Sequence, residues 1–377
     1  MEYPEDAALC QHLLRTRAVP VEALLACREA QRRAREQGAQ VPGLRQLLVA
    51  RGLLPEERAD QVERAARGKT AKRARKRAGS SSGRYGPRRA EEVSSDVVSP
   101  GDRLGGYEVQ DRVARGSMGT VYRAQHLRSG DEVALKVLAP ERAEQDTAGR
   151  RFVQEARLAC ALSHPGLVRG RAFGVDRGRR FFVMEYFPAP SLRSRIQQGG
   201  ALPEPEAARV GAQVARALQY LHAQEIVHRD VKPANILVGP GETKLCDLGL
   251  ARELSIPSQA TASGATLGTP RYMSPEQARG SRDVGPAADL YSLGVTLFHA
   301  VAGRPPFLEE SGIVVLSRHL FDEVPDVRAA RAAVSQPLAE LIWRLTRKDP
   351  AQRLCSALEA ALALEALASP QAVRLAA

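Results

Sequence analysis

Three short stretches of this chain hold the residues that could do chemistry: HRDVKPANIL at 228–237, CDLGLAR at 246–252 and VALKVL at 133–138. They place two carboxylates (Asp230, Asp247), an amide (Asn235) and two lysines (Lys136, Lys232) in a fixed order. Carboxylate and amide oxygens are the hard ligands that magnesium prefers. A lysine ammonium is a compact point charge suited to phosphate oxygens. Together they form the set needed to move the γ-phosphoryl group of Mg·ATP onto a hydroxyl. That reaction asks little covalent work of a protein and depends on positioning and charge stabilisation. Lysine is scarce here, seven of 55 basic residues, so its use at 136 and 232 suggests sites where arginine would not serve.

The elements that must position these groups follow from the residue pattern. From Gly106 the chain reads as strands: YEVQDRVA, TVYRAQHL and EVALKVL, with Ser-Gly-Asp turning between the last two. After Pro203 helical periodicity takes over. Strands first and helices after predicts an α+β fold with a sheet-rich small lobe and a helical large lobe. Residues 1–66 form a separate segment that reads as all-helical. Within it HLLRTRAVPVEALLACREA (12–30) resembles QLLVARGLLPEERADQVERA (46–65) at an offset of 34. Leu13 and Leu47, Leu14 and Leu48, Arg17 and Arg51, Glu22 and Glu56, and Glu29 and Glu63 coincide. One such helical pair cannot bury its apolar face alone, so the two are expected to pack together.

Between these parts, residues 67–105 contain KTAKRARKRAGSSSGRYGPRR, which lacks apolar periodicity and reads as a disordered linker. Residues 67–89 hold ten Lys or Arg and no acid, which accounts for most of the net charge of +12. Three readings of this run stay open: a solvated spacer, a contact with nucleic-acid or acidic-lipid phosphates, or a docking site for another protein. The five cysteines (Cys10, Cys27, Cys160, Cys246, Cys355) show neither paired nor metal-ligand spacing, which suits reduced thiols in a cytoplasmic protein. No apolar run is long enough to predict a transmembrane helix, and the acidic start (Glu2, Glu5, Asp6) lacks the order of a signal peptide.

With those motifs in view, residues 106–368 resemble a eukaryotic-type serine/threonine protein kinase of the kind found in bacteria. The resemblance implies the bilobal kinase fold, a small antiparallel sheet lobe plus a helical lobe, here preceded by a small all-α module. It implies ATP and Mg2+ as cofactors and proteins as substrates. VARGSMGTVY (113–122) is similar to the glycine-rich loop over the ATP phosphates, although Ala114 stands at the first glycine position, with Gly116 and Gly119 matching. Lys136 is expected to grip the α- and β-phosphates, with Glu155 of RFVQEARLA aiming it. Val121 and Ala134 would sandwich the adenine, Met184, Glu185 and Phe187 would form the hinge, and Val113 and Leu237 join the nucleotide-binding set.

By the same resemblance, Asp230 would take or orient the substrate hydroxyl proton and Lys232 would neutralise charge on the γ-phosphate. Asn235 and Asp247 would ligate magnesium. His228 and Leu248 are expected to be packing residues, and Cys246 a small hydrophobe beside the nucleotide pocket. Thr269 would hydrogen-bond Asp230 and Lys232, Glu276 would pair with Arg353, and Asp289 would anchor the catalytic loop. Arg229 before Asp230 suggests activation by phosphorylation, with Thr261 and Ser263 as candidate autophosphorylation sites. The second helical repeat resembles the small modules that precede secretion ATPases and some bacterial kinases. It points to a regulatory or partner-binding role without naming the partner.

Overall fold

The computed structural model describes isolated positions between 9 and 36, residues 37–64, and residues 98–369 apart from 117–118, 140–145, 249–269, 282 and 309–311. By contact density the chain divides into two compact units, 1–92 and 93–377. The linker run 67–89, the candidate phosphosites and Thr269 lie outside the described residues.

The first unit holds helix α1 (Leu44–Ala50) and a helical stretch over 56–64. Leu13, Leu24 and Cys27 from the first repeat, with Leu9 just before it, share one core with Leu48, Leu54, Ala59 and Val62 from the second and Leu44 just before that. The two copies therefore bury each other's apolar faces. Arg45 fastens α1 to the later stretch through Asp60, 2.5 Å away.

The second unit starts with a six-stranded antiparallel sheet of order β1-β2-β3-β4-β6-β5. Its strands are β1 (Arg103–Leu104), β2 (Tyr107–Arg115), β3 (Gly119–His126), β4 (Glu132–Leu138), β5 (Gly170–Asp176) and β6 (Arg179–Glu185). β4 is buried along six of its seven residues, because both sheet faces are covered. One face packs Leu104, Val109, Tyr122, Leu135, Phe181 and Val183. The other packs Ala134, Leu138, Phe182 and Met184 against Phe152 and Ala156 of helix α2 (Asp146–Ala161). Lys136 is the single charge in β4's buried run, opposite Val121 on β3 and Phe182 on β6.

Beyond Glu185 the chain becomes helical. Helices α3 (Leu192–Gly199), α4 (Glu204–Ala223), α5 (Pro275–Ala278), α6 (Ala287–Ala302), α7 (Gly312–Phe321), α8 (Val327–Ala330), α9 (Gln336–Leu345) and α10 (Ala357–Ala368) build the larger core. α6 is buried along nearly its whole length and forms the centre of that core. A two-stranded ribbon, β7 (Ile236–Val238) and β8 (Thr243–Leu245), lies between α4 and α5 in the chain. A sheet lobe followed by a helical lobe is the architecture the strand and helix patterns predict.

Candidate active site

β4 carries Lys136 into the site and α2 carries Glu155. The Lys136 Nζ lies 3.0 Å from Glu155 Oε1 and 2.8 Å from Asp247 Oδ1. Lys136 and Glu155 are both buried, whereas Asp247 opens toward solvent with a side chain 41% exposed. Burial alone would lower the Lys136 ammonium, but the carboxylates on either side reverse this and hold it above the usual lysine value. Burial pushes the Glu155 carboxyl up against the attraction of Lys136. Lys136 holds Asp247 below the usual carboxylate range, with Lys232 adding to the fall.

The second cluster sits on the loop before β7. A turn of 3-10 helix at Pro233–Asn235 directs Asn235 back toward Asp230. The Asn235 amide nitrogen donates to the Asp230 carbonyl at 2.9 Å and to Asp230 Oδ2 at 3.0 Å. This orientation turns the Asn235 amide oxygen away from Asp230. Lys232 Nζ donates to Asp230 Oδ2 at 2.6 Å. Cys246 joins the two clusters through its backbone. Its N–H donates to the Asn235 carbonyl at 2.9 Å, and its carbonyl accepts from His228 Nε2 at 3.2 Å.

The loop is held from beneath. Asp289, fully buried in the first turn of α6, accepts the N–H groups of His228 and Arg229, each at 2.8 Å. Its Oδ2 also accepts from His222 Nε2 at 2.9 Å. A carboxylate suits this place, because a helix N-terminus favours negative charge. Arg229 has a left-handed backbone, φ 63, which a non-glycine residue keeps only when its surroundings fix it. Asp247 is left-handed too, φ 58. Burial lowers the His228 pKa, and both ring nitrogens are used: Nε2 bonds the Cys246 carbonyl and Nδ1 accepts the Asp230 N–H. His228 packs and positions, as the sequence reading expects, and Leu248 is a buried core residue.

The residues expected from sequence to meet a nucleotide lie on or beside β2, β3, β4, β6 and β7. Gly116 N–H donates to the Gly119 carbonyl at 2.8 Å and closes the β2–β3 hairpin. A Cβ on Gly119 would lie 2.0 Å from the Val137 carbonyl oxygen, so only glycine fits there. Ala114 is an ordinary strand residue opposite Val121, without positive φ, and the alanine is accommodated unstrained. Val113 is 53% exposed on the same strand. Ala134 and Met184 pair across β4 and β6 and are both buried, while Val121 packs against them half-buried. Leu237 lies half-buried on β7. Cys246 lines a small cavity with Glu155, Met184 and Asp247, and burial holds its thiol well above the usual cysteine value. This environment suits a small hydrophobe.

Two contributors were not foreseen from sequence. Lys244 reaches Glu185 Oε1 at 2.8 Å and lies 5.6 Å from the centre of the Phe187 ring, so it braces the segment that leaves β6. Gln277 Nε2 donates to the Arg229 carbonyl at 2.9 Å and ties α5 to the catalytic loop. The rarity of lysine is the signal that could have drawn attention to Lys244. The expected strut is present: Arg353 meets both Glu276 carboxylate oxygens at 2.7 and 2.9 Å, and its guanidinium is fully buried.

Among the described residues no cluster of three His, Cys, Asp or Glu side chains could hold a metal alone. The outward carboxylate of Asp247 and the oxygen of Asn235 fit magnesium only with phosphate oxygens completing its shell.

Comparison with known proteins agrees with this geometry. The family profile described as "Protein kinase domain" matches residues 107–367. The chain is 36% identical over 255 residues to the serine/threonine-protein kinase PrkC of Bacillus subtilis (strain 168), covering 67% of this chain and 39% of PrkC. It is 34% identical over 258 residues to the serine/threonine-protein kinase PknB of Mycobacterium leprae (strain TN), covering 67% of this chain and 41% of PknB. The chain thus spans about two fifths of the length of these relatives. The crystal structure of the Mycobacterium tuberculosis PknI kinase domain superposes with a TM-score of 0.57 at 29% identity, covering 72% of this chain and 100% of that one.

Proposed function

Since this chain belongs to the protein kinase family, we propose that it transfers the γ-phosphoryl group of Mg·ATP to serine and threonine hydroxyls of protein substrates. The observation that carries the reading is the convergence of Lys136, Glu155 and Asp247 with Asp230, Lys232 and Asn235 through one shared backbone link at Cys246.

Each residue's part follows from its place. Lys136, fixed by Glu155, grips the α- and β-phosphates of ATP. Asp230 accepts the substrate hydroxyl proton; Lys232 and Asn235, bonded to its Oδ2, hold that carboxylate in one orientation. Lys232 can exchange its bond to Asp230 for one to the γ-phosphate as charge builds there. Asp247 and the Asn235 oxygen would hold Mg2+, which would supply neutralisation of the phosphate charge. Val113, Ala114, Gly116, Gly119, Val121, Ala134, Met184, Glu185, Phe187 and Leu237 surround the nucleotide.

Phosphorylation of the chain's own activation segment belongs to the same proposal. The guanidinium Nε atoms of Arg229 and Arg271 are buried without a hydrogen-bond partner among the described residues, an arrangement that an incoming phosphate would satisfy. Thr261 and Ser263 are the proposed acceptors. The domain limits, 1–66, 67–105 and 106–368, and a cytoplasmic location are proposed with it, except that Arg103 and Leu104 pair with β2 as β1 and so stand with the sheet and not with the linker. Four described cysteines are free thiols, and among the described residues no helix is long and apolar enough to cross a membrane. The helical module is proposed to bind a regulatory partner.

The test is incubation of the purified chain with γ-32P-labelled ATP and a general protein substrate, followed by phosphoamino-acid analysis and mass spectrometry. Label on phosphoserine and phosphothreonine, lost when Mg2+ is chelated, is expected. Label absent, or confined to tyrosine, would refute the reading. Full activity with Thr261 and Ser263 unmodified would remove the activation step alone.

A further inference from the structure

A buried series of polar side chains runs through the helical lobe to a turn beside the catalytic loop. That turn is the 3-10 segment Pro270–Tyr272. Tyr272 and Met273 line a small cavity with Arg229, Asp230, Lys232 and Ser292. Side chains hold two of the turn's carbonyls. Ser292 Oγ of α6 donates to the Tyr272 carbonyl at 2.7 Å, and His319 Nε2 of α7 meets the Arg271 carbonyl at 2.9 Å. His319 is buried, and so are its partners, Tyr291 of α6 and Lys348 just past α9. The Tyr291 hydroxyl lies 2.9 Å from His319 Nδ1. Lys348 Nζ donates to that hydroxyl oxygen at 3.1 Å and to the His319 carbonyl at 3.0 Å.

Which groups can donate fixes the direction of the series. An ammonium only donates, and a carbonyl only accepts. Burial, with the Lys348 charge adding to it, lowers the His319 pKa to about 3, so the ring carries a single proton at neutral pH. Facing a carbonyl, Nε2 must hold that proton, which leaves Nδ1 to accept from the tyrosine. Burial raises the Tyr291 pKa, so its hydroxyl keeps its own proton. The bonds therefore run one way, from Lys348 through Tyr291 and His319 to the Arg271 carbonyl. As packing alone this arrangement is unfavourable. Lys348 forms no ion pair among the described residues, and nearby Asp322 and Glu323 face Arg318 and Arg347. Its charge rests on two neutral oxygens and on the rings of Tyr291 and Phe307, 5.3 and 5.5 Å away. Well-packed apolar residues often stabilise such a place as well or better. They cannot fix the direction of a carbonyl.

We propose that Lys348, Tyr291 and His319 are positioning residues that set the Arg271–Tyr272 turn beside Asp230 and so guide the approach of the protein substrate's hydroxyl. None of the three meets ATP or the reacting atoms; they act through the turn. Their effect on rate rests on the phosphoryl-transfer reading, whereas their fixing of the turn does not.

The test uses the full chain and the variants His319→Leu, His319→Gln and Tyr291→Phe. Hydrogen–deuterium exchange read by mass spectrometry follows the turn without turnover. In His319→Leu the segment 270–274 should exchange at least about ten-fold faster, while the rest of the helical lobe keeps its wild-type rate. Initial rates separate the two substrates: KM for a general protein substrate should rise at least about five-fold, with KM for Mg·ATP within about two-fold of the wild type. His319→Gln, whose side-chain amide can still donate to the Arg271 carbonyl, should recover most of both effects. Tyr291→Phe keeps the ring and should shift both readouts the same way by less; it decides the question if His319→Leu does not fold. Wild-type exchange of 270–274 in the Leu and Phe variants would overturn the proposal. So would exchange raised equally across the helical lobe, an equal rise in both KM values, or no recovery with glutamine. Faster exchange with an unchanged protein KM would overturn the link to substrate. A wild type that phosphorylates no protein would refute the kinase reading instead, and exchange alone would then decide the turn.

Discussion

Asp289→Ala removes the support under the catalytic loop without touching a group that meets substrate. The carboxylate accepts three hydrogen bonds, from the N–H groups of His228 and Arg229 and from His222 Nε2, at 2.8 to 2.9 Å, and it is fully buried. A hydrogen bond to a charged group contributes about 1.5–3 kcal/mol, so the two backbone bonds alone amount to roughly 3–6 kcal/mol. Arg229 at φ 63 adds strain of about 1–2 kcal/mol that Asp289 now restrains. Released, the loop should relax toward a common backbone conformation and carry Asp230 with it. A displacement of about 1 Å at a reacting group lowers a rate by roughly 100-fold. Urea denaturation and initial rates of labelled phosphate transfer would measure both effects. Asp289→Asn keeps one acceptor oxygen and should fall between the alanine variant and the wild type. An alanine variant with an unchanged denaturation midpoint and a normal rate would show that the loop holds its shape without Asp289.

Other substitutions separate structure from chemistry. Arg353→Met leaves the Glu276 carboxylate buried and unpaired and should destabilise the unit by about 3–5 kcal/mol, read as a fall in the urea midpoint. Lys348 is buried, and burial lowers its pKa to about 8. The unfolded chain therefore binds the extra proton between pH 8 and the ordinary lysine value, and stability from this group rises with pH across that window. Lys348→Met should abolish that rise in midpoint; an equal slope in the variant would show that Lys348 is not its source. Asp247→Asn should raise the Mg2+ concentration needed for half-maximal transfer by about ten-fold or more, seen in a magnesium titration at fixed ATP.

Much of the site is legible in the sequence because its chemistry needs particular groups at short, fixed separations. Asp230, Lys232 and Asn235 lie within one loop, so their spacing alone nearly defines their geometry. Long-range partners such as Lys136 with Glu155, or Glu276 with Arg353, came from the family resemblance, since no local pattern joins residues so far apart. What the sequence hides is local strain and three-dimensional convergence. Nothing in the string HRD shows that Arg229 is left-handed, because the cause is a carboxylate 60 residues later. Lysine scarcity marks more than Lys136 and Lys232. The four lysines beyond the basic run, Lys136, Lys232, Lys244 and Lys348, are all at least half-buried, and each has a specific partner. An ammonium fits such confined places where the broader guanidinium would not.

The proposed phosphoryl transfer depends on Asp230 acting within an assembled cleft, and one paired measurement tests it: ATP binding and labelled phosphoryl transfer by the wild type and by Asp230→Ala. The variant should keep wild-type affinity for Mg·ATP while transfer falls by about 1,000-fold or more. Transfer at the wild-type rate in that variant would contradict the assignment of the reaction to this site.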